Sequence, residues 1–71
     1  MVNVWDYANE LPRIKLKTVA GDWFVGKVIM VLNAEETEDV EDSIDVEMGS
    51  GEIKSFYQDE IESIEVLHDR R

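Results

Sequence analysis

The stretch Trp23–Leu32, WFVGKVIMVL, is almost continuously apolar and carries a glycine, Gly26, near its middle. Its β-branched and aromatic residues favour a strand over a helix. A strand this long and this apolar is expected to bend and to bury both of its faces in turn. Gly26 supplies the place for the bend, because a missing side chain lets a sheet fold sharply over itself. Gly21, just ahead of the strand in AGD, relieves the turn that feeds it.

The remaining segments arrange themselves around that strand. NVWDYANEL places Val4, Ala8 and Leu11 at helical spacing, with Asn3 as N-cap and Pro12 as stop, and predicts a short helix over 3–11. RIKLKTV alternates Ile14, Leu16 and Thr18 against Arg13, Lys15 and Lys17, the period of a first strand with one buried face. After the long strand, NAEETEDVED crowds Glu35, Glu36, Glu38, Asp39, Glu41 and Asp42 together, and their mutual repulsion reads as a solvated loop. SIDVEM alternates again with Ile44, Val46 and Met48 inward, and GSG at 49–51 makes a tight turn into EIKSFYQ, the fourth strand. DEIES is a one-turn link, IEVL a short fifth strand with Ile64 and Val66 on one side, and the tail 68–71 is expected to fray. The fold class that emerges is all-β: a short N-terminal helix plus a five-stranded, strongly bent antiparallel open barrel over 13–67, in a single domain 1–71.

A domain of 71 residues buries only about 60 % of the surface its unfolded chain exposes. Its thin core calls for a supplement. With no cysteine in the sequence, neither a disulfide nor a thiolate metal site provides one, and a cytoplasmic setting is expected. Assembly with copies of itself is the remaining common route. No apolar stretch approaches the length of a membrane span, and the N-terminus lacks a signal pattern. The formal net charge of −10, from 17 acidic against 7 basic residues, repels phosphate backbones at long range and favours a basic protein partner.

LKTVAGDWFVGKVIMV resembles the first motif of the Sm-like (LSm) proteins, in which a strand ends in a glycine turn and G-x-x-aromatic-x-G follows, with an apolar residue two further on. Here these are Gly21, Phe24, Gly26 and Val28, with Leu16 and Val31 on either side. The order of helix, five strands and a short link before the last strand is similar too, over residues 3 to 67. The resemblance implies a small SH3-like barrel whose fourth strand pairs with the fifth strand of a neighbour, closing a homo-oligomeric ring. It also implies RNA binding, with bases held at the inner rim. Where the family stacks and reads a base after its second strand, this chain has Leu32, Asn33, Ala34 and Glu35 or Glu36. Tyr57 and Gln58 fall where the family has an Arg-Gly pair. The resemblance therefore implies an altered base pocket built on Asn33, Tyr57 and Gln58, with Tyr57 to stack a base and Gln58 to hydrogen-bond one.

Two further functions are expected of other features. The acidic run, with Glu35, Glu36, Glu38 and Asp39 at its centre, mimics the charge spacing of a nucleic-acid backbone, and Trp23 offers an apolar anchor. Together they fit an acidic protein-binding module, or an inhibitor of phage or mobile-element origin that occupies a basic groove. Ring geometry alone would also suit a sponge for a small signalling nucleotide at subunit boundaries. The run lacks the D-x-D-x-D-G spacing of a calcium loop, so no metal or cofactor is expected. Arg13, Lys15 and Lys17 form a basic stripe that could touch phosphates, but whose ordinary use is to offset nearby acid or keep an edge soluble. Trp23 and Val25 share the face of Lys27, and a core under the N-terminal helix, with Trp5 in the same region, is the expected cover for them. The sole histidine, His68, sits in the tail that is expected to fray, and no catalytic role is expected.

Overall fold

A computed structural model of the chain describes residues 2–37 and 41–67. The described residues form five antiparallel strands: β1 (Arg13–Thr18), β2 (Trp23–Leu32), β3 (Ser43–Met48), β4 (Ile53–Tyr57) and β5 (Ile61–Leu67). They make one sheet in the order β4-β3-β2-β1-β5. The sheet bends strongly but does not close, so β4 and β5 are each paired on one side only. No helix of the described residues is long and apolar enough to cross a membrane.

At Gly26 the backbone of β3 comes close against β2. This glycine is buried, and a Cβ placed on it would meet the carbonyl oxygen of Glu47 and lie 2.7 Å from Val46 Cγ1. Glycine is needed there because β3 crosses where a side chain would stand. The core lies inside the bend, formed by Val4, Ile14, Leu16, Val28, Ile44, Val46, Phe56 and Ile61. Each such side chain contributes about 1.5–3 kcal/mol on burial. Ile64 and Val66 of β5 face Leu16 and Ile14 in the register and pack against the same core.

Gly21 and Gly51 hold the turns before β2 and β4 with φ of 98° and 93°, where an L side chain is disfavoured. Gly49 has open space around it and no such backbone requirement.

Four expectations need correcting. The N-terminal helix is a single 3-10 turn, Val4–Tyr7, capped by Asn3, whose Oδ1 accepts the Trp5 N–H at 3.0 Å. Helix nucleation is costly over so short a segment, and Val4 is held by burial in the core instead. Residues 34–37 of the expected acidic loop form a short helical turn, α1 (Ala34–Thr37). The fifth strand starts three residues early, because Ile61 is buried and pairs with Thr18 across an irregularity at Lys17/Thr18. Finally, β2 does not bury both faces: Trp23, Val25 and Met30 remain 51 %, 44 % and 51 % exposed. Tail residues 68–71, His68 among them, lie outside the described residues.

Candidate functional site

The outer face of β2, β3 and β4 is set by a bulge. Phe24, Gly26 and Val28 face inward at every second position, and this alternation would carry Met30 and Leu32 inward as well. The register shifts between Val28 and Met30, so Val31 takes the inward place opposite Ile44. Met30 and Leu32 turn outward, opposite Asp45 and Ser43.

Cross-strand neighbours share a face, and the register therefore lays out three rows. Leu32, Ser43 and Tyr57 form one, Met30, Asp45 and Ser55 the next, and Lys27, Glu47 and Ile53 the third. Ile53 is 55 % exposed and Tyr57 37 %. At the centre, the Ser55 hydroxyl donates to Asp45 Oδ1 at 2.6 Å. Leu32, Ser43, Ser55 and Tyr57 line a shallow recess of about 190 Å³.

Carboxylates border the Tyr57 end of this face. Asp42 accepts the Trp5 indole N–H at 2.7 Å on Oδ2 and the Ala34 N–H at 2.8 Å on Oδ1. The Ala34 and Trp5 bonds hold its carboxyl below the ordinary range. Glu41 Oε1 accepts the Asp59 N–H at 3.1 Å. A side-chain hydrogen bond to Asp59, with desolvation and the neighbouring negative charge, pushes the Glu41 carboxyl upward. Glu60 folds back so that its Oε1 accepts the Tyr57 N–H at 2.8 Å. Among the described residues, no group of three or more histidine, aspartate or glutamate side chains is disposed to hold a metal ion.

Asn33, Tyr57 and Gln58 lie at the same end of the sheet, but their side chains do different things. Asn33 Oδ1 accepts the Glu35 N–H at 2.8 Å and caps α1. Gln58 Oε1 accepts the Val4 N–H at 3.1 Å, tying the N-terminal turn down. Tyr57 presents an exposed ring beside the recess. Glu35 is exposed on α1 and Glu36 belongs to the same turn, while Glu38 and Asp39 lie outside the described residues.

Trp23 is at the far end of β2 from these acids, about 30 Å along a strand of that length. No core beneath the N-terminal turn covers it. Its ring instead takes Lys15 Nζ at 4.7 Å and Lys17 Nζ at 5.5 Å. The basic stripe faces acid on β5: Lys15 is opposite Glu65, and Lys17 Nζ lies 3.3 Å from Glu62. Trp5 is separate from Trp23, clasped to Asp42.

A second recess, about 340 Å³, lies between β4 and the turn that joins β1 to β2. Val19, Phe24, Lys54 and Phe56 contribute to its walls. The Phe24 and Phe56 rings are 5.1 Å apart, with Lys54 Nζ 5.6 Å from Phe24.

Met30, Asp45, Ile53 and Ser55 were not singled out by the sequence. The alternation in β3 and β4 marks Asp45, Ser55 and Tyr57 as one outward set, but Met30 and Leu32 join them only through the bulge. Against known proteins, no family model, no curated protein and no solved structure matches this chain.

Proposed function

We propose that this chain is a non-catalytic binding module of Sm-like architecture that assembles with copies of itself and captures a basic polypeptide segment on its outer β2–β3–β4 face. The observation that carries the binding role is the Tyr57 face itself: exposed Met30, Ile53 and Tyr57 share it with Asp45, and Glu41, Asp42, Asp59 and Glu60 border its Tyr57 end. An acidic, partly apolar surface attracts cations and repels phosphates. The net charge of −10 acts in the same direction at long range.

Assembly is supported by the strand order, which leaves β4 and β5 at opposite ends of one sheet. Pairing β4 of one copy with β5 of the next would remove both exposed edges.

RNA or nucleotide binding is the second reading, supported by the exposed Tyr57 ring beside a recess. Titrating the full chain into a labelled basic peptide and a labelled oligoribonucleotide at low salt separates the two. The first reading expects peptide binding that weakens as salt rises, and no oligonucleotide binding. Oligonucleotide binding that disappears in Tyr57→Ala, with no peptide bound, would replace it by the second.

A further inference from the structure

The Tyr57 face has a chemistry narrower than its charge. A side chain entering from a basic segment meets three things in sequence. Met30 and Leu32 offer apolar surface on β2, suited to a methylene stem. The Tyr57 ring bounds the recess and offers a flat wall. Asp45, one row away, offers a carboxylate whose Oδ1 is already fixed by the Ser55 hydroxyl at 2.6 Å.

Lysine satisfies the first demand and only part of the other two. Its ammonium is compact and strongly hydrated, and has no plane to lay against a ring. Arginine satisfies all three: its stem lies on apolar surface, its guanidinium stacks on an aromatic face, and its forked donors match a carboxylate. The shallow recess of about 190 Å³ leaves room for a planar head group that stays partly open to solvent.

Resting on the preceding reading that this face takes a basic polypeptide, we propose that the Tyr57 recess is an arginine pocket, with the guanidinium held between the Tyr57 ring and the Asp45 carboxylate. The occupant is an arginine of an extended basic segment on another protein. The acids of the border, Glu41, Asp59 and Glu60, steer the segment but do not select between its cations.

The test uses the unmodified chain and two short Gly/Ser peptides of equal length, one with three arginines and the other with three lysines, titrated at low salt. The arginine peptide is expected to bind at least fivefold more tightly. Tyr57→Ala and Asp45→Asn are each expected to bring it to the affinity of the lysine peptide, while Tyr57→Phe, which keeps the ring, retains the preference. Equal affinities for the two peptides would overturn the arginine pocket and leave the acidic capture surface standing. Failure of both peptides to bind would overturn both. Displacement of the arginine peptide by an oligoribonucleotide, lost in Tyr57→Ala, would assign the recess to a base instead.

Discussion

Gly26 sits directly beneath the backbone of Glu47, so close that a Cβ on Gly26 would overlap the Glu47 carbonyl and reach Val46 Cγ1 at 2.7 Å. The overlap falls on a main-chain atom of β3, which cannot swing aside as a flexible side chain does. Gly26→Ala must therefore displace β3 or strain β2, and overpacking of this kind costs about 1–3 kcal/mol. Gly49→Ala, with nothing within 4 Å of the new methyl, is expected to stay within about 0.5 kcal/mol of the parent. Urea unfolding of the two variants measures the contrast. Equal stabilities would show that the close approach of β3 does not depend on Gly26.

The clasp between Trp5 and Asp42 gives a second prediction. Asp42 joins the N-terminal turn, α1 and the end of β4, since its backbone carbonyl also accepts the Gln58 N–H at 3.0 Å. Its carboxyl is held below the ordinary range. The stability it contributes is present above the unfolded-state value and is lost as pH falls through the folded one. Asp42→Asn is expected to lower the thermal midpoint at neutral pH and to lessen this acid-side loss. Trp5 emission should shift to the red as the clasp opens. An unchanged midpoint and emission spectrum would contradict the clasp.

Glu41 behaves in the opposite sense. Its carboxyl is pushed upward by the hydrogen bond to Asp59 and by nearby negative charge. The stability linked to its proton is complete below the unfolded-state value and disappears as pH rises through the folded one. Glu41→Gln keeps an acceptor for the Asp59 N–H and removes the charge. The variant is expected to be more stable than the parent at pH 7, with the difference shrinking as the parent is acidified. Thermal midpoints across pH 3–8 read this directly, and a Glu41→Gln chain less stable at pH 7 would refute it.

The open edge of β4 yields a fourth. The Tyr57 N–H bonds to the Glu60 side chain rather than to β3, so it faces the unpaired side. The two-residue period of a strand turns the Ser55 N–H the same way. Proline is tolerated where the N–H it removes faces outward, so Ser55→Pro should leave the β3–β4 ladder intact while blocking an added strand. An assembling chain gains stability with concentration. The parent's thermal midpoint is expected to rise on concentration and that of Ser55→Pro to stay constant. A rise of equal size in both would place the contact elsewhere.

Much of the sheet was legible because side-chain alternation is a local signal. Ile14 and Leu16, Ile44 and Val46, and the limits of β3 follow from it directly, while those of β2 follow from its apolar run. What escaped it were the irregularities. The bulge between Val28 and Met30 inverts the facing of Met30 and Leu32, and no residue type announces it. The shift at Lys17/Thr18 lets Ile61 enter the core, although DEIES reads as a one-turn link before the last strand. Tyr57 was legible as a candidate contact. The Asp45–Ser55 pair was not, because its meaning depends on which strand lies beside it and in what register. Asn33 and Gln58 read as polar groups available to a ligand, whereas their carbonyl oxygens bond to Glu35 and Val4. Such contacts depend on tertiary placement and leave no trace in spacing.

The proposed assembly through the two open edges is tested most directly by the mass of the full chain in solution, measured by light scattering on a size-exclusion column. A single species of at least twice 8.2 kDa, at a whole-number multiple of it and unchanged on dilution through the micromolar range, is the expected result. A species of 8.2 kDa that persists at millimolar concentration would contradict it.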